Sequence, residues 1–455
     1  MRVLLRLFVL LFLLLPAPRA EAFAHWRRGD GDFELRGFSG LAAASARYPA
    51  GLPSAEEREE TLAEIGQRLL FTARPGERSR IEANLLQSLR RAPLAFLAGS
   101  GRGRSGVERS GLFSWRQHES DNSQARLEVD ALSLYHAVGP MEFALGRQPV
   151  SLATTFYFTP NDFFAPFAAQ EFFRVYKPGV DAARLEARLG PLAQLSLVGV
   201  LGYQEERATG NGWARRPDWE RGSLLVRAAL GQGEFEWALL AGSVREERIV
   251  GGSLAGELFD WLGLRAEGHY AAPEGEGGRS GAELALGLEH RFPGSLELRL
   301  EHFWHGQGSG SAALATAFPG GEGPAGYSGR QYSALGAGYE FSPLLAGQAL
   351  LVQNWSDHSR LLSLNAVYSL TDEVELACTL SLPMGRSQGR EGGDRNSASS
   401  PGRWPWSCGS ITEEGFFLAA GPAASSSGSG EAGFRRTAGE GSGGDGACAA
   451  GDPEA

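Results

Sequence analysis

The chain has 455 residues, 42% apolar and 21% charged, which excludes wholesale disorder and allows either several soluble domains or one large β architecture. Its 63 glycines are about twice the usual share of ~7% and follow no G-X-Y period, which excludes collagen and argues against a mainly helical protein. A net charge of −10 removes a basic nucleic-acid footprint, and three scattered cysteines supply no disulfide framework, structural zinc site or c-type haem attachment.

Residues 1–22, MRVLLRLFVLLFLLLPAPRAEA, have the layout of a secretory signal peptide. Arg2 and Arg6 supply the positive start, Leu7 to Leu15 the apolar core, and Ala20-Glu21-Ala22 the small-residue cleavage site. That core falls well short of the ~20 apolar residues a spanning helix needs, and no later stretch reaches that length. An exported chain of this kind is either soluble or a transmembrane β-barrel.

From about residue 33 onward apolar residues recur with period two, the spacing of strands with one apolar and one polar face. In 125–137 one face holds Ala125, Leu127, Val129, Ala131, Ser133 and Tyr135, and the other carries Arg126, Glu128 and Asp130. In 295–305 Leu296, Leu298 and Leu300 alternate with Glu297, Arg299 and Glu301. Seventeen such segments follow one another: 33–46, 60–73, 78–91, 124–137, 140–148, 179–189, 192–203, 221–230, 234–245, 248–257, 260–270, 281–291, 295–305, 331–341, 344–355, 360–370 and 373–382. Most exceed the usual strand length of about 5–6 residues and match the roughly 9–11 that a tilted strand needs to cross a bilayer.

The connections alternate between short and mostly long. Tight turns fall near residues 75, 139, 190, 232, 258, 293, 342 and 371, while connections such as 47–59, 92–123, 149–178, 204–220 and 306–330 lie between them. This asymmetry is that of outer-membrane barrels, with short periplasmic turns and long extracellular loops. Trp213, Trp219, Trp261, Tyr270, Trp304, Tyr339 and Trp355 fall near strand ends, as interfacial girdles require. The expected fold is an all-β, transmembrane antiparallel β-barrel of about 16–18 strands over residues 23–382.

Catalytic signatures are sparse. Gly101, Gly103 and Gly106 match G-x-G-x-x-G but sit in a polar connection with no strand before them and no helix after, so the dinucleotide reading fails. No Walker loop, G-x-S-x-G or HExxH occurs. If the apolar faces meet lipid, the polar faces line the lumen with Arg126, Glu128, Asp130, Arg184, Arg265, Glu267, Glu289 and Arg299. So many charges of both signs require water or partners, which favours a hydrated channel of weak ion selectivity.

The 149–178 connection is aromatic rather than polar, with Phe156, Tyr157, Phe158, Phe163, Phe164, Phe167, Phe172, Phe173 and Tyr176. Such a loop must pack on something, and the barrel mouth is the expected surface. It is read as an inward constriction loop with Arg174 and Lys177, the only lysine of the chain, near the narrowest point. Around it stand Gly146-Arg147-Gln148, then Pro160, Asp162, Phe164 and Pro166, then Lys177, Gly179, Val180, Asp181, Ala182 and Arg184. This pattern resembles porin-like proteins of Gram-negative outer membranes, related in style to alginate-export barrels. The resemblance covers about forty residues, implies a passive channel, and adds Arg147 and Asp181 to the expected constriction residues.

Beyond Leu382 alternation stops, and 383–455 reads as a Gly/Ser-rich tail that is disordered or read in a shifted frame. Parity demands an eighteenth strand, for which 410–420 is the best candidate. The expected function is passive diffusion of small hydrophilic solutes or ions, without enzyme activity or cofactor. Outer-membrane lipid and the solutes are the expected partners, with a homotrimer as one assembly and no nucleic acid. Two alternatives remain: a barrel sheath around a partner's multihaem cytochromes, and a barrel enzyme acting on lipid or peptide.

Overall fold

The computed structural model describes residues 24–47, 59–91, 108–120, 122–172, 176–204, 216–275, 278–308, 327, 329–372, 374–384 and 414–420. The signal peptide, Arg174, Trp213, the G-x-G-x-x-G stretch and most of the tail lie outside them.

Strands dominate. β1 (Ala24–Arg28), β2 (Gly31–Arg47), β3 (Glu59–Gly76), β4 (Ser79–Arg91), β5 (Ser114–Ser120), β6 (Ser123–Val138) and β7 (Met141–Gln148) lead to the long inserted connection. After it come β8 (Val180–Arg188), β9 (Ala193–Val200), β10 (Ser223–Gln232), β11 (Phe235–Val244), β12 (Glu247–Leu258) and β13 (Leu262–Pro273). The series ends with β14 (Gly281–Arg291), β15 (Glu297–His305), β16 (Gln331–Ser342), β17 (Leu345–Asn354), β18 (Arg360–Thr371), β19 (Val374–Met384) and β20 (Glu414–Ala420). All seventeen alternating segments become strands, and β1, β5 and β20 are added to them.

Pairing is antiparallel throughout. β2 bonds β3, β3 bonds β4, β4 bonds β6, and from β6 each strand bonds the next as far as β19. β20 then bonds β19 on one edge (Val374 opposite Ala420) and β2 on the other (Ser39 opposite Ala420). The ladder therefore returns to its start, as a barrel of eighteen strands, with β20 paired to Val374–Thr379 of β19 and Ser39–Ser45 of β2. This last strand, Glu414–Ala420, falls within 410–420, the candidate for the eighteenth strand, inside a tail otherwise expected to be disordered or read in a shifted frame. β1 extends the wall beside the first residues of β2, and β5 pairs with β6 above the end of β7.

Side-chain facing follows the period-two pattern with one exception. Leu239, Leu284, Leu286, Leu300 and Leu335 are exposed on the outside, while Glu267, His269, Glu283 and Glu301 are buried within. On β6 the expected single apolar face is broken at Asp130. Against β4, Val129 opposes Leu85 and Ala131 opposes Asn84, so Asp130 is an extra, bulged residue. Below the bulge the faces exchange: Leu132 and Leu134 point outward, whereas Ser133 and Tyr135 are buried inside.

Outward aromatics form two belts. Phe143, Trp237, Phe259, Trp261, Tyr339 and Phe341 lie near the short turns, and Trp219, Tyr270, Trp304 and Trp355 lie near the long connections. Leu286 stands between them on β14, 49% exposed. Leu286→Arg should lower stability by about 2–4 kcal/mol if it sits at the bilayer midplane. Denaturant titration in lipid vesicles checks this; an unchanged midpoint would place Leu286 off the lipid face.

Candidate functional site

A chain segment that leaves the wall for the lumen needs partners for every amide it carries inside. The connection between β7 and β8 finds them on two wall carboxylates. Glu267 of β13 accepts from the backbone N–H groups of Thr154, Thr155 (3.1 Å) and Asn161 (3.1 Å). Glu301 of β15 accepts from those of Phe156 (2.6 Å), Tyr157 (2.7 Å) and Phe158 (3.0 Å). Both carboxylates point inward from the wall, and both are buried. Asn161 adds a side-chain bond to Gly252 O (3.0 Å) and lies 3.3 Å from His269 Nδ1.

The aromatic payload is divided between two apolar patches of the wall. Phe163, Phe164 and Val150 pack against Val180, Val198, Val200, Leu225, Leu240 and Ile249. Phe158 stacks on Phe303 at 5.4 Å and joins Tyr327 and Tyr332, with Leu350 and Val352 behind. The returning arm reaches the first strands: Tyr176 stacks on Phe38 at 5.2 Å and lies beneath the Arg68 guanidinium at 4.6 Å. The aromatic connection thus folds into the barrel and is bonded to walls on opposite sides of it.

Lys177 ties the two arms together. Its ammonium bonds the Asp162 carboxylate (2.5 Å to Oδ2), which also accepts from Ser151 Oγ at 3.4 Å. Burial pushes the Lys177 ammonium below its usual range, and the charge of Asp162 works against that shift.

Arg147 and Asp181 stand opposite each other at the two ends of the insertion, on β7 and β8. Arg147 Nε and Nη2 donate to the two Asp181 oxygens at 2.7 and 3.0 Å. Its remaining donors reach Val129 O (3.0 Å) and Ser110 O (2.9 Å), and Phe113 lies under the guanidinium. Asp181 also accepts from Ser110 N at 2.7 Å. The Arg147 side chain is fully enclosed and that of Asp181 is 11% exposed, so the pair offers little surface to a solute.

The glycines of the same motif explain themselves. Gly146 has φ +119°, and a Cβ on Gly179 would stand 2.5 Å from Asp130 O, whose carbonyl accepts from Gly179 N. Because β7 stops at Gln148, segment 108–120 takes its place in the wall, with Glu108 O bonding Asp181 N and β5 pairing with β6.

The other expected lumen residues fall into separate groups. Asp130 receives Arg68 (2.5 Å) and Arg109 (3.1 Å), and Glu128 also pairs with Arg109. Arg126 lies across from Arg116 in the β5–β6 register. Below the loop, Glu289 bridges Arg265 (2.9 Å) and Arg299 (3.1 Å), and Arg299 lies 3.9 Å from the Phe156 ring. Arg184 pairs with Glu186 on its own strand. Arg174 lies outside the described residues. Two further anchors have no local signal in the sequence. Arg109 comes from the 92–122 connection, and Arg245, at positive φ in the tight β11–β12 turn, bonds Glu108 and Phe163 O.

This arrangement defines an antiparallel β-barrel of porin-like fold with an inserted connection folded into its lumen. Solved structures share its fold: Pseudomonas aeruginosa OccK9 (OpdG) gives a TM-score of 0.53 at 14% identity, over 86% of this chain and 97% of that one. P. aeruginosa OccK7 (OpdD) gives 0.52 at 12% identity over 86% and 99%, and Acinetobacter baumannii OccAB3 gives 0.51 at 11% over 85% and 98%. No protein-family model and no curated protein matches the sequence.

Arg147→Ala leaves Asp181 buried without its cation and should cost about 3–5 kcal/mol of stability. Arg147→Lys should recover only part of it, because an ammonium cannot make the two-pronged bond. Unfolding curves of the three proteins check this order.

Proposed function

We propose that this protein is an outer-membrane channel for passive diffusion of small hydrophilic solutes or ions, exported by residues 1–22, with 149–178 as its constriction. One observation carries the reading: the aromatic connection is bonded inside the barrel through six backbone amides held by Glu267 and Glu301. A plug made this way narrows the lumen without sealing it through the wall, and its position depends on fixed side chains rather than on a partner. The half-buried Arg265, Glu289 and Arg299 beneath it supply charge where a solute would pass. The same plug speaks against a sheath around a multihaem cytochrome, which would have to displace it. The polar lumen and the porin-like fold favour a channel over an enzyme.

Conductance of the purified protein in planar bilayers tests the proposal. The wild type should form discrete open channels, and Glu267→Ala with Glu301→Ala should raise the unit conductance by releasing the loop. Absence of conductance from folded, heat-modifiable protein would overturn the reading.

Selectivity gives a second check. Replacing Arg265 and Arg299 together by Gln leaves Glu289 unneutralised, so the reversal potential in a salt gradient should move toward cations. A potential unchanged within error would place these residues off the conducting path.

A further inference from the structure

The inward parity of β16 reads Tyr332, Ala334, Gly336 and Gly338, so its second half presents bare backbone to the lumen. A glycine inside a strand weakens it and marks a turn of the backbone or the close approach of another group. Neither Gly336 nor Gly338 takes a left-handed φ, so the backbone supplies no reason for them. What lies over the two differs. A Cβ on Gly338 would meet nothing within 4 Å. A Cβ on Gly336 would overlap the Tyr157 hydroxyl and stand 2.6 Å from Cζ and 3.1 Å from Cε2 of the same ring.

Tyr157 belongs to the inserted connection. Its N–H is held by Glu301 at 2.7 Å, and its ring is buried in the wall patch that includes Ala334, Leu350 and Val352. Gly336 also stands directly opposite Arg299 of β15 in the ladder. Phe156 connects the two sites: its ring meets Tyr157 edge-on at 4.9 Å, and the Arg299 guanidinium lies 3.9 Å from its centre. The amides of Phe156 and Tyr157 are fixed on the same carboxylate, so neither ring can shift far without the other. A methyl at position 336 would lift Tyr157 off β16, and through that contact draw Phe156 from Arg299.

We propose that Gly336 is a positioning residue of the constriction: its missing side chain is the notch that seats Tyr157, and the seated pair of aromatics keeps Arg299 covered and fixes how much of its charge meets the lumen. Arg299 retains Glu289 (3.1 Å) and Glu297 as partners when the ring leaves, so the consequence is exposure of the guanidinium rather than its release. A residue without a side chain thereby sets the ionic character of the site from across the ladder.

The ionic consequence rests on the channel reading, whereas the seating of Tyr157 does not depend on conduction. Reversal potentials in planar bilayers under a salt gradient, with unfolding curves of the same proteins, test both. Gly336→Ala should move the potential toward anions. Gly338→Ala, which adds the same methyl to the same face of the same strand, should leave it unchanged. In a Tyr157→Leu background, which lacks the three atoms the methyl would meet, Gly336→Ala should no longer shift the potential, and an Arg299→Gln background should abolish the shift as well. The unfolding midpoint should fall on Gly336→Ala with Tyr157 present and stay level with Tyr157→Leu. A wild-type potential in Gly336→Ala, an equal shift in Gly338→Ala, or a shift that survives Tyr157→Leu or Arg299→Gln would overturn the inference. Folded proteins that show the coupling in their unfolding midpoints but carry no current would overturn the channel reading and leave the seat at Gly336 standing.

Discussion

In a barrel wall with lipid on its outer side, backbone N–H and C=O groups have to find partners without help from water, and the architecture of the described residues follows from that demand. In the wall the partners are neighbouring strands, so the sheet must close, and the short β20 completes it between β19 and β2. Inside the barrel the same demand falls on a segment with no neighbouring strand to pair with. Two carboxylates on the wall take over the role of a strand edge, each accepting from three amides. An ionised carboxylate is suited to this because its two oxygens offer about four lone-pair sites and donate nothing. Glu267 and Glu301 are thus parts of the loop's secondary structure contributed by distant strands.

Sending a segment inward also opens a hole in the wall, and much of the remaining machinery repairs it. β7 ends early, so 108–120 moves into the space between β6 and β8. The carboxylate of Asp130, at the bulge, meets Arg68 and Arg109 inside, and beyond the bulge Ser133 and Tyr135 turn inward. Arg147 bonds both Asp181 and the incoming segment, holding three chain stretches with one guanidinium. These features form one solution: removing the loop's ends from the wall creates unpaired groups, and buried charge-assisted bonds satisfy them.

The strands were legible because each crosses an environment with lipid on one face and polar contents on the other, which writes a period of two into the chain. The alternation of short and long connections then distinguished a membrane barrel from a soluble sandwich. The loop was legible for a different reason: nine aromatics between Phe156 and Tyr176 have no place in water. Less could be read about roles. Arg147 and Asp181 stand out as charged residues in a motif, yet whether such a pair lines a path or locks a wall depends on what covers it, and Ser110 and Phe113 come from a remote connection. The facing of β6 beyond Asp130 was misread because a bulge leaves no trace where apolar and small residues such as Ala131, Leu132 and Ser133 follow it. β5 escaped notice because its seven residues are mostly polar.

Formal charge overstates what a solute would meet in such a lumen. Glu267 and Glu301 are covered by amides, Asp181 by Arg147, and Asp162 by Lys177, so their fields are largely cancelled by donors held within a few ångströms. The half-buried groups differ, because water reaches them and they can exchange partners with a passing ion. Arg265 and Arg299 share the single carboxylate of Glu289 beneath the loop, although Glu297 also touches Arg299. Arg116 and Arg126 lie opposite each other in the β5–β6 register, and Arg116 is paired with Glu119. The acids Glu119, Glu289 and Glu297 are at least as open to water as the Arg116 and Arg299 they pair with, so both signs of charge meet the water and the net charge of −10 says little about the sign of the field inside the barrel.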